Sequence, residues 1–206
     1  IIDPVADQVQ RDSTLLMQLG LTLKYAIDTH LHADHIFGCG QLRERLQCKV
    51  GIAAAAQAHG VDIPLQDSMH LQFGNQTLEV RSTPGHTNSC ISLVWVNNQS
   101  VFTGDTLLIR GCGRTDFQEG NSETLFDSVH SQLYSLPDTT RVFPAHDYNG
   151  QTSSTICEEK KFNPRLNTGI SKAEFVAIMS HLQLPPPKRL HEALPANKHC
   201  GLPPFH

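Results

Sequence analysis

The chain has 206 residues, 39% hydrophobic and 17% charged, with a formal net charge of −4. That length supports one substantial domain with a real core, and we read residues 1–206 as a single domain. The weakly acidic balance gives no reason to expect nucleic acid or an anionic membrane as partner, and no apolar run approaches the roughly 20 residues of a membrane helix.

Ile1-Ile2-Asp3-Pro4 reads as the end of a strand, which predicts that strands preceding it are missing. Residues 7–19 read as a helix, with Val9, Leu16 and Leu19 on one side and Gly20 as its stop. A buried strand over Leu23–Thr29 leads into Thr29-His30-Leu31-His32-Ala33-Asp34-His35, and a second helix is predicted over 36–47. Lys49–Ile52 is a short strand, and the alanines 53–56 suit a short helix ending at His59-Gly60, with His59 solvated rather than ligating. Residues 68–73 and 76–82 alternate apolar with polar around Gly74-Asn75, a hairpin; 91–96 and 100–102 form a second, with Trp95 expected in the core and His70 exposed.

A Gly-rich polar loop, 110–120, precedes a helix over 122–136 and a last strand over Arg141–Phe143. Thr155–Lys161 suits a helical segment. Ser171-Lys172-Ala173-Glu174 is a capping box opening a helix with Phe175, Ile178, Met179 and Leu182 at helical spacing. Pro185-Pro186-Pro187 ends it, and the tail from Lys188 shows no period. Strands in the middle with helices early and late place the chain in the α/β class.

The chemistry concentrates in the loop after the first long strand. Three imidazoles and a carboxylate, His30, His32, Asp34 and His35, fall within six positions at a strand end, where side chains can converge. Neutral imidazole and carboxylate are the usual ligands of zinc, iron and manganese. His86, Asp105 and His146 each stand after an apolar strand and a few small or proline residues, and twelve histidines in all suit a metal protein. Six cysteines form no C-x-x-C pair and read mainly as reduced thiols.

The set Thr29-His30-x-His32-x-Asp34-His35, His86, Asp105 and His146 resembles the metallo-β-lactamase superfamily, which implies an αββα sandwich with metal at the strand ends. Leu107–Gly120, reading L-L-I-R-G-C-G-R-T-D-F-Q-E-G, with Pro144–Asn149, Asn163–Leu166 and Pro195–Asn197, is similar to the persulfide dioxygenase family. Two positions depart from that family's pattern: Phe37 where a small polar residue is common, and Ser89 where glycine is, which would strain the backbone if φ there were positive.

The resemblance implies one Fe(II) per chain, held by His30, His86 and Asp105, and oxidation of glutathione persulfide by O2 to sulfite and glutathione in sulfide catabolism. It gives His32, Asp34, His35 and His146 supporting roles around the metal, although the same residues complete a second metal site in dinuclear relatives. Arg114, Tyr148 and Arg165 become candidates for glutathione contact. Thr103 is expected to hydrogen-bond within the metal loop, Asp147 to orient a histidine or hold structure, and Cys112 and Cys200 to be packed thiols. The alternative is a glyoxalase II-like hydrolase with two Zn(II), whose ligand types are all present; the roughly 60 residues after His146 leave little room for that family's helical substrate domain. A homodimer is a further expectation, as is the mitochondrial matrix for a eukaryotic source or the cytoplasm for a bacterial one.

Overall fold

The structure, a computed structural model, describes residues 1–187 and 189–203. Of the tail expected to lack a period, Lys188 and residues 204–206 lie outside the described residues. The chain divides into two compact units, one made of Ile1–Leu65 with the C-terminal residues from Pro185 on, the other of Gln66–Leu184.

In the first unit a 3-10 turn, Ala6–Gln8, leads into α1 (Val9–Gln18), matching the predicted helix. The first strand, β1 (Tyr25–Asp28), ends just before the histidine cluster, and α2 (Cys39–Leu46) follows the loop. Then come β2 (Lys49–Ala53), a 3-10 turn at Ala54–Ala56 and β3 (Ile63–Leu65). The three strands pair in parallel in the order β1-β2-β3. The β1–α2–β2 connection is the crossover that parallel pairing requires, so the ligand loop sits at the carboxyl end of β1. Ala26, Phe37, Leu42, Val50 and Ile52 are fully buried in this unit's core. Phe37, a departure from the family pattern, fills core space directly behind the ligand loop, at about 1.5–3 kcal/mol for a side chain of that size.

The C-terminal residues add α6 (Leu190–Asn197), numbered after the helices of the second unit described below. No helix was expected there. Pro195 lies inside it, near its last turn, which hides the element from a reading by periodicity.

The second unit holds a six-stranded sheet in the order β4-β5-β6-β7-β8-β9. Its strands are β4 (His70–Phe73), β5 (Gln76–Ser82), β6 (Ile91–Trp95), β7 (Ser100–Gly104), β8 (Arg141–Pro144) and β9 (Ser154–Thr155). Both predicted hairpins are antiparallel as expected. Arg141–Pro144 is not the last strand: two residues of β9 pair with it in antiparallel register. Trp95 is only half-buried, because its indole N–H reaches Gln76 Oε1 at 2.9 Å near the hairpin end.

β7 and β8 are parallel, joined by a crossover containing α3 (Ser122–Asp127). That helix widens into a π-helix over Ser128–Leu133 rather than running on to residue 136. α4 (Ile156–Phe162) and α5 (Lys172–Ser180) both open on capping boxes, from Thr155 and Ser171. Leu125, Val129, Leu133, Val142 and Phe175 are fully buried together. The loops after β5, β7 and β8 carry His86, Asp105 and His146, so the ligand types of this unit also follow strand ends.

Among the described residues no helix is long and apolar enough to cross a membrane, and all six cysteines are free.

Candidate metal centre

The first unit supplies His30, whose ring is 2% exposed. Its orientation follows from donor arithmetic. Thr29 donates its backbone N–H to Asp3 Oδ1 at 2.7 Å, and its hydroxyl lies 3.0 Å from Asp3 Oδ2. A carboxylate can only accept, so the single hydroxyl proton goes to Asp3. Thr29 Oγ1, 3.0 Å from His30 Nδ1, must then accept from Nδ1–H. Nε2 is left as the nitrogen bearing the lone pair, the tautomer a metal needs.

His32, Asp34 and His35 offer ligand atoms within 4.8 Å of one another. The His32 ring lies between its neighbours' rings, tilted by 43° and 42°, with centroids 3.9 Å from His30 and 4.3 Å from His35. Its Nε2 lies 3.1 Å from Asp3 Oδ1 and its Nδ1 3.7 Å from Asp34 Oδ1. Burial alone would discharge that imidazole, but the Asp3 carboxylate outweighs it and raises the pKa to about 10. The direction favours the charged imidazole beside Asp3. Asp28, at the end of β1, goes the other way: burial first, and then Asp3's charge, push its carboxyl well above the usual range.

The second unit repeats the device. His86 donates Nδ1–H to the Arg114 backbone oxygen at 2.7 Å, again leaving the lone pair on Nε2. That Nε2 lies 3.7 Å from Asp105 Oδ2. The gap is too long for a hydrogen bond, and it suits two ligands flanking one ion at bonds of about 2.1 Å. The other carboxylate oxygen, Asp105 Oδ1, accepts from His146 Nδ1 at 2.7 Å. Asp105 is held from behind as well: its backbone oxygen accepts from Gly113 N at 2.8 Å. Thr103 donates its hydroxyl to Leu107 O at 2.6 Å, closing the loop that carries Asp105, as expected.

The loop 107–113 is braced by a buried carboxylate. Glu159 is fully buried and accepts from Arg110 N at 2.9 Å, from Asn163 Nδ2 at 2.9 Å and from the Ser154 hydroxyl, and it pairs with the Arg110 guanidinium. Sequence reading gave Glu159 no role, since a Glu in a charged helix looks solvated.

Of the proposed substrate contacts, Arg114 forks onto Asp116 at 2.7 and 2.8 Å, lies over the Phe117 ring at 4.5 Å and donates to Leu184 O. Tyr148 is 80% exposed and lies parallel to His146, with centroids 6.2 Å apart. Arg165 is half-buried, and its charge partly offsets the effect of burial on the Cys112 thiol. Asp147 caps its own turn by accepting from Asn149 N and Gln151 N, a structural role. Cys112 and Cys200 are buried, as expected of packed thiols. Ser89 is not among the positive-φ residues, so the glycine it replaces was not needed for backbone freedom.

The Metallo-beta-lactamase superfamily profile matches residues 1–146. Persulfide dioxygenase ETHE1, mitochondrial, of Bos taurus is 47% identical over 202 residues, 98% of this chain and 79% of that protein. The Homo sapiens protein of the same name is 46% identical over the same shares. The chain belongs to the persulfide dioxygenase family. The crystal structure of ETHE1 from Myxococcus xanthus superimposes with a TM-score of 0.94 at 46% identity, covering 98% of this chain and 88% of that one. The fold is therefore of the metallo-β-lactamase type, as its motifs implied, and a metal is implied with it. The family's I-R-G-C-G-R-T-D-F run, 109–117, begins in the braced loop described above, so its specificity in sequence has a structural counterpart.

Proposed function

We propose that this persulfide dioxygenase oxidises glutathione persulfide with O2 to sulfite and glutathione, using one Fe(II) held by His30, His86 and Asp105. This reading requires the two compact units to act as one domain, each contributing ligands. Two imidazoles and one carboxylate form the facial set typical of non-haem Fe(II) oxygenases, with positions left open for substrate and oxidant. The iron, when bound, supplies one-electron chemistry that lets O2 react, which redox-silent zinc does not.

The observation that carries the reading is the way the supporting residues are committed. His146 Nδ1 engages Asp105 Oδ1, and His32 Nε2 faces Asp3. Of the histidines that would complete a second metal site, His146 is set as a donor to Asp105 and His32 is ion-paired with Asp3. That favours the mononuclear dioxygenase over the two-zinc thioester hydrolase. The division of labour follows. Thr29 and the Arg114 carbonyl fix the tautomers of His30 and His86. His146 aims Asp105 and holds a proton beside it. Tyr148 covers the outer face of His146, where its exposed ring can pack against substrate. Arg114 suits a glutathione carboxylate, provided the substrate takes the place of Asp116 in its fork.

The relatives are named mitochondrial, and we assign the matrix to a eukaryotic source and the cytoplasm to a bacterial one. The substitutions His86→Ala and Asp105→Ala test the assignment. Each is expected to abolish ferrous binding and O2 uptake with glutathione persulfide. Full iron loading of both variants would contradict it.

A further inference from the structure

The loop from Thr29 to Gly38 joins β1 to α2 with no regular structure beyond a single bridge from Phe37 to Val5, yet His30–Ala33 and Phe37–Gly38 are buried. Buried peptide groups outside helices and sheets need partners from elsewhere. One side chain supplies three of them. Asn197, the last residue of α6, is fully buried. Its Oδ1 accepts from Phe37 N at 2.8 Å, and its Nδ2 donates to His32 O and to His35 O, both at 2.9 Å. Both amide protons and one oxygen lone pair are used, and the two carbonyls against one N–H allow only this orientation of the amide.

We infer that Asn197 is a positioning residue for the metal loop: its carboxamide clamps the backbone of His32, His35 and Phe37 and so fixes the carboxyl-terminal half of the loop that carries His30. The inference rests on the reading of His30 as a metal ligand. Asp3, through Thr29, holds the loop's beginning, and Asn197 holds its end together with the Pro4–Ala6 backbone, where Pro4 O accepts from Gly38 N at 2.6 Å and Ala6 N donates to Ile36 O at 2.9 Å.

The clamp is itself held. Cys200 O accepts from Gly40 N at 3.0 Å, and Lys198 O accepts from His59 N at 2.7 Å. Gly201, at φ +75°, lies so close that a Cβ there would stand 2.0 Å from Phe37 O. A segment some 160 residues from the loop in sequence is thus pinned beside it through the residues that follow Asn197. Asparagine is the residue this geometry needs. Aspartate has the same shape but no donor, and would face two carbonyl oxygens with a carboxylate. Alanine would leave three buried backbone groups without partners.

The test uses the full chain and ferrous ion as probe, under argon, with chelator competition. Asn197→Asp is expected to weaken ferrous affinity about 10–100-fold, the usual effect of losing a residue that orients a metal site. KM for glutathione persulfide at saturating iron is expected to stay within about twofold, because the clamp touches no substrate. A ferrous affinity within about twofold of the parent would overturn the inference, even with a lowered melting temperature, since that would make Asn197 a purely structural residue. His30→Ala is measured beside it. If His30→Ala also leaves affinity unchanged, the metal assignment has failed; if it abolishes binding while Asn197→Asp binds normally, only the clamp has failed. Should Asn197→Asp not fold, hydrogen exchange in the parent decides: protection of the Phe37 amide supports the clamp, and exchange at the rate of an open loop overturns it.

Discussion

Two glycines of the loop between Asp105 and Arg114 give opposite expectations for the same substitution. A Cβ added at Gly113 would stand 2.5 Å from Asp105 O and 2.8 Å from both Cγ and Nδ1 of His86. Carbon packs at about 3.5 Å or more, so roughly 0.7–1 Å of displacement must be shared between Gly113 and two proposed metal ligands. Neither neighbour is a flexible side-chain end: one is backbone, and the other is a ring held to Arg114 O. Overpacking of this kind costs about 1–3 kcal/mol of stability. A ligand moved by about 1 Å can cost about 100-fold in rate. At Gly111 the nearest atom to an added Cβ is Leu108 Cβ at 3.8 Å, an ordinary contact. Gly111→Ala should therefore fall within about 0.5 kcal/mol of the parent, with unchanged turnover. The assay is kcat/KM for glutathione persulfide together with bound iron, and denaturant unfolding of the metal-free protein. Gly113→Ala retaining activity within about tenfold, or Gly111→Ala losing as much as Gly113→Ala, would refute the reasoning.

Three more outcomes follow from the same contacts. His146→Ala should keep its iron and lose about 10–100-fold in turnover, because it removes the donor that aims Asp105; a fall from two bound metals to one would instead restore the dinuclear reading. Glu159→Ala should cost about 3 kcal/mol, the low end for breaking a buried ion pair because the Arg110 side chain is 31% exposed; a loss under about 1 kcal/mol by denaturant unfolding would remove Glu159 as the brace of loop 107–113. Burial raises the Cys112 thiol to about 11 and the Cys90 thiol to about 12. The thiolate is the reactive form, so near pH 8 only about one in a thousand Cys112 side chains, and fewer of Cys90, would react. Mass spectrometry after brief alkylation of the native protein should therefore find the half-buried Cys157 labelled well before either, and equal labelling of Cys112 would contradict its burial.

The sequence made legible what depends on local pattern. Alternation placed both hairpins, and serine or threonine followed by glutamate three residues on marked the start of α5. Ligand types after apolar runs marked the strand ends at His30, His86, Asp105 and His146. The elements it concealed lack such a pattern. Ile63-Pro64-Leu65 is three residues long with a proline in the middle, too short for a period. Ser128–Leu133 keeps its apolar residues four apart whether the turns are α or π, so the widening leaves no trace in composition. α6 carries Pro195 in its interior. The supporting residues were hidden for another reason. Asp3 and Asn197 act through partners 26 and 160 residues away, and a lone Asp or Asn gives no sign of which distant backbone it will satisfy. Ser89 shows the converse: a departure from a family pattern carries no strain where the backbone does not need glycine.

Metal stoichiometry in the anaerobically prepared chain, measured together with O2 uptake on glutathione persulfide, bears most directly on the central assignment. The mononuclear arrangement predicts one iron per chain, one O2 consumed per sulfite formed, and loss of both metal and uptake in His86→Ala. Two zinc ions per chain, with cleavage of S-lactoylglutathione and no O2 consumed, would contradict it.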